Sequence, residues 1–146
     1  MTRISFYILQ DSISQGRELF ACRLAEKAYT TGLQTYIHTA GQPQSSVLDR
    51  LLWTFRQHSF VPHAVEANNP DPAVPVLIGH TRTFDDAKHA PQRTMLINMA
   101  EDIPVFFSSF ERVAEIVDPQ PEHKAQGRAR YRFYRERGYT LENHTI

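Results

Sequence analysis

The side chains whose chemistry stands out first are the basic residues near the end of the sequence. Residues 122–137 contain six basic residues and two acidic ones, in a chain whose formal net charge is zero. If this segment is helical, residues four, seven and eleven positions apart share one face. That face would carry Lys124, Arg128, Tyr131 and Arg135. Its cations are suited to binding an anion.

Three interpretations of this basic face remain open from the residues alone. The cations can be solvated side chains that interact favourably with the C-terminal end of the helix dipole. They can contact the phosphates of a nucleic acid, with Tyr131 stacking on a base. They can instead capture an acidic peptide or its terminal carboxylate, because arginine donates paired hydrogen bonds to a carboxylate and Tyr131 can form the wall of an apolar pocket.

A second stretch with binding potential covers residues 47–63. On a helix its apolar side chains share one sector, whereas Trp53 falls among the polar residues on the other side. Phe60 follows just past the predicted helix end. Large aromatic side chains in these positions indicate an apolar patch that binds a partner. The alternative is that residues 66–75 fold over Trp53 and bury it.

Catalytic and cofactor-binding motifs are absent from the sequence. The six glycines are too widely spaced for a dinucleotide-binding G-x-G-x-x-G motif or a P-loop. Asp11 follows the first predicted strand, where its charge would repel a phosphate. The seven histidines are scattered and Cys22 has no cysteine partner, so no catalytic, cofactor-binding or metal-binding residue is predicted. A small-molecule enzyme with a site near Asp11 remains an alternative, and Asp85 with Asp86 is a weak candidate for a divalent cation.

The composition is that of an ordinary globular protein with one core. The chain has 146 residues, of which 41% are hydrophobic and 22% charged. Its 16 basic residues balance 16 acidic ones, which excludes a global field that attracts nucleic acid or membrane. One cysteine excludes an internal disulfide and favours a reducing compartment. Since no apolar run approaches the roughly 20 residues that span a bilayer and no signal peptide is evident, a cytoplasmic protein is expected.

The order of the predicted elements gives the fold class. Strands are predicted at residues 4–9, 33–39, 75–79, 94–99 and, as the final strand, 113–117. Helices are predicted from Ser12, with Gln15 in capping-box spacing, to Gly32, at 47–55 and at 122–137, with a short helix or turn at 103–110. A turn is expected at 41–43, a loop at 63–75, and a segment too polar for the core at 81–93. This order predicts an α/β fold with right-handed crossovers and a mainly parallel sheet flanked by helices.

The sequence also resembles a known family nearly from end to end. Its first strand reads ISFYIL, LDRLLW leads into SFVPH, a later strand reads TMLINM, and the closing segment reads RARYRFYRERGYTL. The run from Trp53 into SFVPH and the closing segment are the specific parts. Together these segments are similar to the chi subunit family of bacterial DNA polymerase III holoenzyme. The resemblance implies a single Rossmann-like domain over residues 1–146, without a nucleotide-binding fingerprint.

The resemblance also implies a function and two binding sites. Proteins of this family are non-catalytic adaptors in DNA replication, without a cofactor, that bind the psi subunit of the clamp loader and the acidic C-terminal tail of single-stranded DNA-binding protein. By position, Trp53 and Phe60 match residues that contact psi, or a helicase that competes for the same surface. The residues that match the tail-binding pocket are Val117, Lys124, Arg128 and Tyr131. DNA contact is then mostly indirect. The alternative is direct binding of single-stranded nucleic acid by the basic last helix.

Overall fold

The computed structural model of the chain describes residues 1–68, 70–71, 73–81 and 93–146. Seven strands of this part of the chain form one sheet. They are β1 (Arg3–Ile8), β2 (Thr35–His38), β3 (His63–Val65), β4 (Val76–Gly79), β5 (Met95–Asn98), β6 (Arg112–Val117) and β7 (Thr140–Thr145). The α-helices are α1 (Gly16–Thr30), α2 (Gln42–Thr54) and α3 (Pro121–Glu136), and short 3₁₀ turns occupy Glu66–Asn68 and Phe107–Ser109.

All neighbouring strands in the sheet are parallel. The spatial order is β3-β4-β2-β5-β6-β1-β7, so β1 lies between β6 and β7, and Ile4 is opposite both Val113 and Leu141. Parallel neighbours cannot be joined by tight turns, so the connections cross over the sheet and place helices on its faces. The predicted Rossmann-like α/β fold with a parallel sheet is therefore confirmed.

Each face of the sheet has its own layer of apolar side chains. On the first face, Ile37, Ile97 and Ile116 pack with residues of α1 and α2 that include Ala25 and Leu48. On the second face the core is largely aromatic, and its largest members are Phe6, Tyr36, Phe106, Phe110 and Tyr134. Burial of one such side chain contributes about 1.5–3 kcal/mol. As a result α2 and α3 are fixed on opposite faces of the sheet.

A buried polar network fixes α3 on β6. The Glu115 side chain is fully buried and accepts hydrogen bonds from Arg130 Nε at 2.8 Å, Tyr134 OH at 2.7 Å and Asn98 Nδ2 at 3.0 Å. Arg130 also donates from NH1 to the carbonyl of Glu101 at 3.0 Å. A buried carboxylate is stable only when its lone pairs are satisfied and its charge is paired, and both conditions hold here. Burial and the nearby Glu115 raise the pKa of Tyr134 well above its usual value, so Tyr134 stays a hydrogen-bond donor.

The same helix approaches the end of β6 closely at Gly127. A Cβ atom added to Gly127 would lie 2.8 Å from Cγ2 of Val117, which is closer than real Cβ contacts. Glycine is unfavourable inside a helix by about 1 kcal/mol relative to alanine. The close packing against Val117 gives the reason for a glycine at this position.

Two helix starts differ from the sequence prediction. α1 begins at Gly16 rather than at Ser12, because Gln15 has a left-handed backbone with φ 58° and no side chain caps the helix. The predicted capping box does not form. α2 begins at Gln42, so residues 41–43 are not a turn; Pro43 fits the first turn of a helix, where no backbone N–H is needed.

Both edge strands are also missing from the sequence prediction. β3 lies within residues 63–75, which were expected to be a loop, and β7 follows β6, which is therefore not the final strand. The sequence of β7, TLENHT, is largely exposed and lacks the apolar alternation by which a strand is recognised. β7 pairs only with β1, and its side chains are largely uncovered on the faces of the sheet, so it needs few apolar residues.

The polar segment at 81–93 ends in a buried residue. Arg93 is 3% exposed and donates from NH1 to the carbonyls of Thr35 at 3.2 Å and Pro75 at 3.0 Å. The expectation that this segment avoids the core is therefore wrong at Arg93. Residues 82–92, which include Asp85 and Asp86, lie outside the described residues.

Candidate partner-binding surfaces

An aromatic surface formed by Trp53 and Phe60 lies on the first face of the sheet. Trp53 is 55% exposed and Phe60 is 61% exposed, and their ring centroids are 5.7 Å apart. Trp53 is therefore not enclosed by the described part of residues 66–75, and that alternative is wrong. Covering the exposed parts of both rings, on the order of 200 Å², would contribute about 5 kcal/mol.

The core side of α2 fixes the position of this aromatic surface. Leu48 and Leu52 are buried against the sheet, which turns Trp53 outward. After the helix, His58 adopts a left-handed backbone with φ 67°, and Val61 returns to the core with 1% exposure. Phe60 lies between these two anchors and remains exposed.

A buried histidine supports the Trp53 ring from below. The centroids of Trp53 and His63 are 4.6 Å apart. The ring nitrogens of His63 lie 2.7 Å from the carbonyl oxygen of Val61 and 3.0 Å from that of Asp49. Sequence reasoning missed this role, because His63 is one of seven scattered histidines and no local pattern distinguishes it.

A second surface, called the α3 surface, consists of Val117, Lys124, Arg128 and Tyr131. Lys124 and Arg128 are exposed, Tyr131 is half-buried, and Val117 at the end of β6 is buried with 6% exposure. The Tyr131 ring makes an edge contact with Phe6, with centroids 5.1 Å apart, and its hydroxyl accepts a hydrogen bond from Asn143 at 3.5 Å. The sheet therefore holds the aromatic ring in place beside the two cations.

The two cations of the α3 surface have no carboxylate partner in the described part of the chain. Lys124 lies at the end of the first turn of α3 and Arg128 one turn further on. The N-terminal end of a helix carries the positive pole of the dipole, so interaction with the dipole does not stabilise cations there. The interpretation of these residues as cations placed to match the helix dipole fits Arg135, in the last turn, but not Lys124 or Arg128.

The basic residues of α3, together with Arg137 directly after it, fall into separate groups that the sequence does not distinguish. Arg130 is 5% exposed and bound to Glu115. Arg137 lies over the Phe133 ring, with its guanidinium carbon 3.6 Å from the ring centroid. The remaining four are exposed and, among the described residues, make no ion pair: Lys124, Arg128, Arg132 and Arg135.

No metal centre emerges from the described residues. They contain no group of three or more His, Cys, Asp or Glu side chains placed to hold a metal ion. Cys22 is fully buried, and burial raises the pKa of its thiol to about 12, so it stays protonated and unreactive. Near Asp11, a cavity of about 350 Å³ is lined mainly by apolar side chains such as Leu9, Ile13 and Phe20. None of the described helices is long and apolar enough to cross a membrane.

Relatives of known family match the chain along its length. The family model for the DNA polymerase III chi subunit, HolC, matches residues 1–142. DNA polymerase III subunit chi of Pseudomonas aeruginosa is 38% identical over 146 residues, which are 100% of this chain and 98% of that protein. The protein of the same name from Haemophilus influenzae is 28% identical over 141 residues, 97% of this chain and 95% of that protein.

A solved structure shows the same fold in an otherwise dissimilar protein. The crystal structure of T4 UvsW matches 99% of this chain with a TM-score of 0.67, at 9% sequence identity, and the match spans 41% of the UvsW chain. This likeness concerns the fold alone. The family model and the relatives cover nearly every residue, and on that evidence the chain belongs to the DNA polymerase III chi subunit family.

Proposed function

We propose that this chain is a non-catalytic, cytoplasmic subunit of DNA polymerase III holoenzyme that connects two partners during DNA replication. The aromatic surface of Trp53 and Phe60 binds the psi subunit of the clamp loader, or a helicase that competes for it. The α3 surface binds the acidic C-terminal tail of single-stranded DNA-binding protein. Membership of the chi subunit family supports the role in replication.

The observation that carries this proposal is the separation of two exposed surfaces with different chemistry. α2 packs on the first face of the sheet, next to β3 and β4, whereas α3 packs on the second face, next to β6 and β7. β3 and β7 are the two edges of the sheet. Partners on these surfaces do not overlap, so one molecule can hold both at once, as an adaptor requires.

The α3 surface suits an acidic peptide that ends in an aromatic residue. Lys124 and Arg128 are free to pair with carboxylates, and arginine binds a terminal carboxylate with two parallel hydrogen bonds. Tyr131, which is half-buried, offers an apolar contact for the terminal ring, and the buried Val117 lies beneath α3 at Gly127 and supports this pocket from below. Such a contact is small and charge-assisted, so we expect salt-sensitive binding with a Kd in the micromolar range, about −8 kcal/mol.

The aromatic surface suits a longer-lived apolar interface. The Trp53 ring already contacts Phe60 and His63 in the free protein, which reduces the side-chain entropy that is lost when a partner covers it. Aromatic residues of this kind are the usual hot spots of protein interfaces, where truncation costs about 2 kcal/mol or more.

The proposal is tested by substituting one residue in each of the two sites separately. Arg128→Ala is expected to weaken binding of the tail peptide at least ten-fold and to leave psi binding unchanged. Trp53→Ala is expected to weaken psi binding by about 30-fold, which corresponds to about 2 kcal/mol, and to leave tail binding unchanged. Isothermal titration of each variant with each partner measures both constants.

Matched controls remove a similar side chain elsewhere on the surface. Arg50→Ala deletes an exposed arginine of α2, and Val105→Ala truncates an apolar side chain that is 62% exposed. Arg50→Ala should not alter tail binding, and Val105→Ala should not alter psi binding. If Arg128→Ala and Trp53→Ala each weakened both partners equally while the fold stayed intact, the assignment of two separate sites would be wrong.

A second candidate function is direct binding of single-stranded nucleic acid by α3. The four exposed cations of this helix, with Tyr131 among them, favour it. It requires affinity for bare single-stranded DNA, and log K should fall with log salt by about 0.7 units for each phosphate contacted. Loss of that binding in Lys124→Ala/Arg128→Ala would support this function over capture of a peptide tail.

A further inference from the structure

A groove on the first face of the sheet, remote from α3, combines unpaired cations with aromatic rings. Its volume is about 700 Å³, and it runs between α1 and the strands β1, β5 and β6. Neither the aromatic surface nor the α3 surface uses it. The residues that define its chemistry are Tyr7, Phe20, Arg23, Lys27 and Arg112.

The charge of this groove is positive. Arg23, Lys27 and Arg112 are exposed, and in the described part of the chain none of them forms an ion pair. The side-chain carboxylate among the lining residues, Glu26, is already held by Arg56 at 2.9 Å and by the hydroxyl of Ser59. The groove therefore concentrates uncompensated cations on a chain whose net charge is zero.

Two of these cations are spaced along one side of α1. Arg23 and Lys27 are four residues apart in the helix, so they lie on the same face about 6 Å from each other. Arg112, at the start of β6, adds a third positive group from the sheet. A polyanion can contact all three cations at once, whereas a single small anion would contact only one of the three.

Aromatic rings continue from the groove onto the edge of the sheet. Ile4 and Phe6 point to the second face, so Tyr7 points to the first, where it contacts Phe20 at 5.3 Å. The His144 ring of β7 stacks on Tyr7, with centroids 5.0 Å apart and an angle of 18° between the planes. The His144 side chain is 43% exposed, which leaves ring surface open to solvent. One negative group lies beside this ring: the Glu142 carboxylate is 3.6 Å from His144 Nε2.

From this combination we propose that the α1 groove binds single-stranded nucleic acid. Arg23, Lys27 and Arg112 contact successive phosphates, and a base stacks on the open side of the His144–Tyr7 pair. Charged grooves with aromatic stacking platforms are the general means by which proteins bind single strands without sequence preference. An acidic peptide would pair with the cations but would leave the stacked rings without a partner, so the nucleic acid is the occupant that uses both features.

The test measures fluorescence anisotropy of a fluorescein-labelled oligothymidine of about 10 nucleotides, within the range that one such site covers. The full chain is titrated at several salt concentrations. Arg23→Ala/Lys27→Ala is expected to weaken binding at least ten-fold and to flatten the log K against log salt slope by about 1.4 units, since each phosphate contact accounts for about 0.7. His144→Ala is expected to weaken binding about five-fold or more, the loss of one base stack.

Two comparisons identify the ligand and the site. An oligonucleotide of the same length with abasic sites should bind more weakly to wild type, and this difference should disappear in His144→Ala. Lys124→Ala/Arg128→Ala removes the same charge from α3 and should leave oligothymidine binding within two-fold. The substituted side chains are exposed, and an unchanged circular dichroism spectrum would show that each variant is folded.

Three results would overturn the proposal. One is the absence of oligothymidine binding by wild type at low salt. Another is binding that is lost in the α3 variant and retained in the α1 variant, which would assign nucleic-acid contact to α3. The third is equal binding of the abasic oligonucleotide, or displacement of oligothymidine by an acidic peptide at the same charge concentration, which would make the groove a general polyanion site.

Discussion

Replacing Arg130 should destabilise the protein much more than replacing the nearby Arg128, although both belong to the same basic segment. Arg130 is 5% exposed, and its Nε lies 2.8 Å from a carboxylate oxygen of Glu115, which is fully buried. In Arg130→Met the buried carboxylate of Glu115 would no longer have a cation to pair with. Breaking a buried pair in this way costs about 3–5 kcal/mol. Arg128 is exposed and pairs with no described carboxylate, so Arg128→Met should change stability by no more than about 0.5 kcal/mol.

Urea unfolding followed by circular dichroism measures this difference. Domains of this size have a total free energy of unfolding of about 5–15 kcal/mol, so Arg130→Met should lose a large part of it. At about 4 °C per kcal/mol, Tm should fall by 10 °C or more.

A double variant separates loss of the ion pair from loss of packing. Glu115→Gln keeps an oxygen for Tyr134 OH and removes the buried charge. Arg130→Met/Glu115→Gln should therefore be more stable than Arg130→Met alone, because no uncompensated charge remains. If Arg130→Met were as stable as Arg128→Met, or if the double variant were no more stable than Arg130→Met, the buried pair would not have the role inferred here.

Two further predictions concern packing and pH. Gly127→Ala should destabilise the protein by about 1–3 kcal/mol despite alanine's higher helix propensity, since its Cβ would meet Val117 at 2.8 Å; equal or higher stability in urea would contradict the close packing. Burial and nearby His80 lower the pKa of His38 from 6.5 to about 4. Between these values the unfolded chain binds a proton that the folded one does not. The free energy of unfolding should therefore decrease as the pH is lowered, and at pH 4 it should be about 3 kcal/mol less than at neutral pH. The free energy of unfolding should depend more steeply on pH in wild type than in His38→Gln across this range. An equal dependence on pH would show that His38 does not contribute.

The sequence predicts the buried strands of the sheet well and its edges poorly. Residues 75–79 and 94–99 are short apolar runs, and they correspond to β4 and β5. In contrast β7 is stabilised by its hydrogen bonds to β1, and its own residues are mostly polar. The start of α2 depends on whether Pro43 ends a turn or begins a helix, and local sequence permits both.

The two surfaces differ in how far the sequence defines them. Trp53 departs from the apolar stripe of its helix, which is enough to predict an exposed side chain, and the structure confirms that exposure. Arg128 and Arg130 look alike in the sequence, and what separates them is Glu115, which lies 15 residues before Arg130 on another element. The sequence does contain one signal that separates Arg130 from Arg128. Arg130 has helical spacing to Gly127 and Tyr134, and these three residues share the buried face of α3.

The central claim, that the α3 surface captures an acidic tail by its charge and its terminal ring, is tested most directly by one titration. A fluorescent peptide ending in Asp-Asp-Ile-Pro-Phe is titrated with the protein, beside the same peptide without its final Phe. We expect saturable binding with a Kd in the micromolar range that weakens with salt and is lost when the Phe is removed. Absence of binding, or binding that does not depend on the Phe, would contradict the claim and leave α3 as a general basic face.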